Sequence, residues 1–177
     1  MNRSVLLILA LAGANEPIAA TPPNDECENA IPITGEGIFP FDSSGATGIE
    51  ESDWNCWYNT PTPDPHFAND VWFRWASVCP GYFSYLTVDT CGQTTVDTKL
   101  GQYSMHGLPC EQKALDACDD DACDYQSRVT YDVRPGDDIL IQIATQPGMA
   151  GGTGTFRIKC APGPEPPDPQ NWSCPSP

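Results

Sequence analysis

Val71-Trp72-Phe73-Arg74-Trp75 decides the fold class. Val71, Phe73 and Trp75 fall on one side of an extended chain, with Trp72 and Arg74 on the other. That is the period of two expected of a half-buried strand. The same alternation returns in Ile139, Ile141 and Ile143, in Val129, Tyr131 and Val133, in Leu86 and Val88, and in Phe156 and Ile158. Turn formers separate these runs: Pro80-Gly81, Cys91-Gly92, Pro135-Gly136-Asp137 and the glycines from Gly148 to Gly154. No stretch carries a convincing helical period. Many short strands between Gly, Pro and Asp turns predict an all-β protein, an antiparallel β-sandwich of jelly-roll-like type.

The chain has 177 residues, one domain's worth. Its 24 acidic against 8 basic side chains give a formal charge of −16. With no Lys/Arg cluster to neutralise phosphates, neither nucleic acid nor an anionic membrane is an expected partner. Nine cysteines without zinc-ligand spacing point to an oxidising compartment and a disulfide-stapled fold. The N-terminus agrees with that compartment. Arg3, the apolar run Val5–Ala12 and the small residues Ala19-Ala20 form the layout of a secretory signal peptide over residues 1–20. The run is too short to span a bilayer. Loss of residues 1–20 removes Arg3 and Glu16 and leaves the charge at −16. The expected product is secreted, or held at the cell surface or in the periplasm. Residues 21–161 would form the sandwich, with an extended leader from Thr21 to Glu26. Residues 162–177 would be a proline-rich flexible tail. Asn55 to Asn69, with Pro61, Pro63 and Pro65, reads as a long surface loop.

The order of short blocks resembles the bacterial pre-peptidase C-terminal (PPC-like) domain family. The opening is Pro22-Pro23-Asn24-Asp25-x-Cys27-x-Asn29-Ala30-Ile31, then Gly45-Ala46-Thr47, then Asp70-Val71-Trp72-Phe73-x-Trp75. Val88-Asp89-Thr90-Cys91-Gly92, Asp97-Thr98-x-Leu100-x-x-Tyr103 and Cys118-x-Asp120-Asp121-x-Cys123 follow. Gln126-Ser127-x-Val129, Pro135-Gly136 and Gly152-x-Gly154-x-Phe156-x-Ile158-x-Cys160 complete it. The resemblance spans nearly all of residues 22–160. It implies a jelly-roll-like, non-catalytic module of secreted proteins that assists substrate binding, secretion or adhesion. Such modules are usually appended to enzymes, whereas this one would fill the mature chain.

Eight cysteines lie in the body, which allows 105 pairings, so connectivity stays open from spacing alone. The resemblance implies first and last strands side by side and hence Cys27–Cys160. Local spacing suggests Cys91–Cys110 and Cys118–Cys123, which leaves Cys56–Cys79. Cys174 in the tail is the odd cysteine, a candidate for an intermolecular disulfide.

Asp119, Asp120, Asp121 and Asp124 crowd the segment between Cys118 and Cys123. Carboxylates this close repel, and two readings follow. In one, Asp120 and Asp121 ligate calcium, a hard cation that collects oxygen donors, with Asp97 and Ser127 approaching from neighbouring strands. In the other, Asp120 and Asp121 accept backbone N–H groups in an Asx turn. Asp89 and Asp97, each before a threonine, also suit turn capping.

His66 and His106 stand in no metal or nucleophile motif, and the expectation is that the protein is not an enzyme. Binding suits the composition better. Trp54, Trp57 and Tyr58 in the long loop could stack on a sugar ring or anchor a protein, or pack as a lid on one sheet. Trp72 and Arg74 would extend that surface, unless Trp72 joins the core. The leading reading is therefore a secreted, non-catalytic binding or adhesion module for an extracellular polysaccharide or surface protein, with calcium as its one candidate cofactor. A structural envelope component tethered through Cys174 is the alternative, and an unrecognised hydrolase a distant third.

Overall fold

A computed structural model describes residues 20–48 and 67–164. Among these residues nine strands form two sheets, with 3₁₀ turns at Cys27–Asn29 and Cys110–Gln112. They are β1 (Ile31–Ile33), β2 (Gly37–Asp42), β3 (Ala68–Ala76), β4 (Ser84–Asp89), β5 (Lys99–Ser104), β6 (Ala114–Asp119), β7 (Arg128–Val133), β8 (Asp138–Thr145) and β9 (Thr153–Pro162). One sheet has the order β1-β3-β8-β5-β6 and the other β2-β9-β4-β7. All pairings are antiparallel except β1 with β3. The protein is an all-β, jelly-roll-like sandwich, as the alternation predicts.

The inward faces interdigitate in one core. Val71, Phe73 and Trp75 of β3 and Ile139, Ile141 and Ile143 of β8 meet Leu86 and Val88 of β4 and Phe156 and Ile158 of β9. Phe73 and Phe156 meet across the sheets with ring centroids 4.8 Å apart. Burying Trp75 requires a partner for its indole, and Nε1 donates to Gly35 O at 2.9 Å. β3 begins at Ala68, so the loop expected to reach Asn69 gives way to strand at its C-terminal end. β9 runs through Pro162, one residue into the proline-rich stretch.

The outer face of the five-stranded sheet is covered too, which one-sided alternation does not foretell. Trp72 joins a second buried cluster with Tyr103, Met105 and Leu140, roofed by Cys27, Cys110 and Leu115. Of the two places open to Trp72, the structure selects the core. The Lys113 ammonium lies 5.3 Å from its ring centroid. Arg74 remains half-exposed and forks onto Asp138. The leader is stitched down rather than merely extended. Asn24 Nδ2 donates to Trp72 O at 2.9 Å, and Asp25 accepts from the backbone and hydroxyl of Thr47 at 2.6 and 2.9 Å.

The cysteine pairings differ from every expected one. The structure joins Cys27 to Cys110, Cys79 to Cys160 and Cys91 to Cys123. Cys27–Cys160 fails because β1 and β9 lie in different sheets. Cys27 instead sits in the turn above Trp72, beside Cys110. Cys79, in the connection that follows β3, reaches Cys160 of β9 in the other sheet, which excludes Cys56–Cys79. Cys91–Cys110 and Cys118–Cys123 fail together. Cys123 turns away from its own loop to meet Cys91, while Cys118 packs from β6 against Phe67 and Ala144, on the face opposite Ala117 and the main core, and is itself disulfide-bonded. Disulfides on this scale belong to an oxidising compartment.

Candidate functional site

Two features among the described residues can do chemistry. The first is at the end of the sandwich where Cys91–Cys123 ties the β4–β5 connection to the β6–β7 loop. Asp97 comes from the first of these connections, and Asp120 and Asp121 from the second. Each offers a carboxylate oxygen, and these oxygens lie within 4.8 Å of one another. Three of the four residues read from the sequence as ligands are therefore brought together. Ser127, the fourth, is fully buried. Its hydroxyl is within hydrogen-bond reach of Thr98 O and, at 2.8 Å, of Asp120 O, so it fixes the loop.

Turn capping falls elsewhere than expected. Asp119 Oδ2 accepts from the N–H groups of Ala122 and Arg128, both at 2.9 Å. That leaves Asp120 free of the cap. One of its oxygens accepts from Gln146 Nε2, and Oδ1 is buried without a hydrogen-bond partner among the described residues. Burial pushes the Asp120 carboxyl up to about 6; Lys99 opposes this, and Asp121, Asp97 and Asp119 add to it. Asp97 is raised as well, by burial first and then by Asp121. Asp89 is no turn cap. Its carboxylate, 2% exposed, takes Arg157 in a fork with contacts of 3.0 and 3.1 Å.

The second feature is a cleft of about 500 Å³ lined by residues that include Tyr82, Phe83, Tyr131, Arg134, Asp132 and Asp116. It opens because β6 and β7 are both edge strands, so this flank of the sandwich is unsealed. Tyr131 shares its side of β7 with the buried Val129 and Val133 yet is 38% exposed. Tyr82 is 63% exposed, with the Arg134 guanidinium 5.9 Å from its ring centroid. His106 and Asp137 also line the cleft, and Ser104 Oγ donates to Asp116. Desolvation raises the Asp116 carboxyl, partly offset by that hydrogen bond. The hydroxyl proton thus goes to a carboxylate and not to the imidazole that a serine nucleophile would need.

Sequence reasoning missed this cleft, since its residues belong to connections and edge strands far apart in the chain. Tyr131 carried a faint signal as the one polar-tipped ring in an otherwise aliphatic strand face. Trp54, Trp57, Tyr58, His66, Cys56 and Cys174 lie outside the described residues, as do nearly all of residues 1–20.

No protein-family profile matches the chain, and no curated protein sequence is similar to it. Among solved structures, the pre-peptidase C-terminal domain of a collagenase from Bacillus anthracis aligns with 75% of this chain and 94% of that domain, at 8% identity and a TM-score of 0.43.

Proposed function

We propose that this protein is an exported, non-catalytic binding module whose β6–β7 cleft holds a neutral or amino-sugar polysaccharide. The observation that carries the reading is the exposure of the Tyr82 and Tyr131 rings in one cleft with Arg134, Asp132, Asp116 and Asp137. Aromatic faces stack on the apolar face of a sugar ring, and the charged planar groups bind its hydroxyls. Three carboxylates against one guanidinium make the cleft acidic, and the whole chain carries −16. Anionic glycans are repelled, whereas neutral or cationic ones are not. A rigid sandwich with disulfides suits a site that must hold its shape outside the cell.

The test is retention of the oxidised full chain on insoluble chitin, cellulose and xylan, with Tyr82→Ala and Tyr131→Ala as variants. Retention on at least one support is expected, with about a tenfold loss for each variant at unchanged melting temperature, roughly what one stacked ring supplies. No retention on any of the three, or retention indifferent to both tyrosines, would overturn the proposal. Binding to a surface protein instead would count against it in the same way.

A further inference from the structure

Asp97, Asp120 and Asp121 have no share in the cleft and lie on other loops, so what they do is independent of the polysaccharide reading. Three observations converge there. The three carboxylate oxygens lie within 4.8 Å of one another. That is the widest separation open to two oxygens sharing an ion at about 2.4 Å from each. Asp120 is 7% exposed, and among the described residues its Oδ1 has no hydrogen-bond partner. Buried carboxylate oxygens are rarely left so without an ion or water to meet them. Finally, the hydrogen-bonding duties of the loop are assigned to other groups. Asp119 caps the turn, Ser127 holds the Asp120 carbonyl, and Gln146 occupies the second Asp120 oxygen.

From this arrangement we infer that Asp97, Asp120 and Asp121 form a calcium site. The donors are all hard oxygens, without His or Cys in the trio, which disfavours zinc and copper. Lys99, fully buried nearby, brings one positive charge against the four carboxylates of Asp97, Asp119, Asp120 and Asp121, so the pocket stays negative. Asp97 leads into β5 of one sheet, Asp120 and Asp121 toward β7 of the other, and Gln146 belongs to the β8–β9 connection. An ion here would clamp the same two connections as Cys91–Cys123 at a second point, closing this end of the sandwich. Exposed Asp121 would leave room for water to complete a coordination number of six to eight.

The experiment uses the oxidised full chain, first stripped with chelator. Calcium titration is followed by calorimetry, and melting is recorded in 2 mM calcium, in 2 mM magnesium and in chelator. The expected result is one calcium bound per chain and a melting temperature about 5–10 °C higher, the shift for a free ion near a hundredfold above its dissociation constant. Asp121→Asn, at an exposed position that threatens no packing, is expected to weaken calcium binding at least tenfold. Asp97→Asn is expected to do the same. Asp132→Asn, an equal change of charge in the cleft, is expected to leave calcium affinity within about twofold. Absence of calcium binding would overturn the inference. So would an equal shift with magnesium, or affinity lost as much in Asp132→Asn as in Asp121→Asn. Polysaccharide retention does not enter this readout, so either proposal can fail without the other.

Discussion

Asp70→Asn is expected to make stability relative to the parent chain more favourable as pH rises from acid to neutral, because it removes a buried charge. Asp70 lies on β3 with no exposed surface, beneath the outer cluster around Trp72. Its Oδ2 accepts from Gln142 Nε2 at 2.8 Å, while among the described residues Oδ1 makes no hydrogen bond of good geometry, though the Trp72 side chain lies close enough to favour the charged form slightly. Burial raises the carboxyl from 3.8 to about 6, with the Gln142 hydrogen bond pulling the other way. Between about pH 4 and pH 6 the folded chain therefore holds a proton that the unfolded chain has released. Stability falls as pH rises through this window, and it recovers fully only below the unfolded value near 4. At roughly 1.4 kcal/mol per pH unit, the charged form costs about 3 kcal/mol at pH 7.5.

Asparagine keeps the acceptor for Gln142 and never ionises. Its new amide N–H₂ replaces the unpartnered oxygen, and leaving that group unpaired costs about 1–3 kcal/mol at every pH. The net change at one pH is therefore ambiguous, while the difference between two pH values is not. Urea unfolding of both oxidised chains at pH 7.5 and pH 4 should give a variant-minus-parent stability about 2.4 kcal/mol more favourable at pH 7.5, since some of the penalty is already present at pH 4. The carboxyl of Asp120, which titrates in the same range, is common to both chains and cancels. An equal difference at both pH values would refute the account of Asp70 as a buried charge.

Two further outcomes follow from packing and cross-linking. Replacing Cys79 and Cys160 together by alanine opens a loop closed over a sequence separation of 81. Chain entropy puts the loss at about 4–5 kcal/mol, to be read from urea midpoints after peptide mapping of the parent shows the Cys79–Cys160 cross-link. Gly151→Ala would place a methyl group 2.2 Å from Ser43 O, a backbone atom with little freedom to retreat. The variant should lose about 2–4 kcal/mol; Gly148→Ala, which meets no neighbour within 4 Å, isolates the penalty of its φ of +84°.

The strands were readable because inward aliphatic and aromatic residues repeat with period two, as in β3 and β8. Which sheet each strand enters was not, because that depends on long-range register, and the cysteine pairings failed with it. Cys27–Cys160 would be sound if β1 and β9 were neighbours, but β1 runs parallel to β3 in the opposite sheet. The acidic site was partly legible: crowding singled out Asp120 and Asp121, and Asp97 joined them. The cap on Asp119 was missed because one residue decides which carboxylate faces the turn, and β6 ends at Asp119 itself. Buried polar groups on the outer sheet face, Asp70 and Gln142 among them, carried no local signal. Their partners come from far away in sequence: Gln142 Nε2 donates to Asp70, the Tyr103 hydroxyl donates to Gln142, and the Asp70 N–H donates to Thr47 O.

The place of β9 has a consequence for synthesis. It lies between β2 and β4, pairing Gly37–Asp42 on one side and Ser84–Asp89 on the other. A nascent chain therefore carries β2 and β4 for some 70 residues of elongation, and β7 with them for the last 30 or so, without the strand that joins β2 to the other two. Over that interval the aliphatic faces of β4 and β7 have half a sheet to cover them, and Cys79 has no partner in Cys160. Such a chain is best kept unfolded until its last strand has been made, the condition in which a polypeptide can be threaded through a membrane pore.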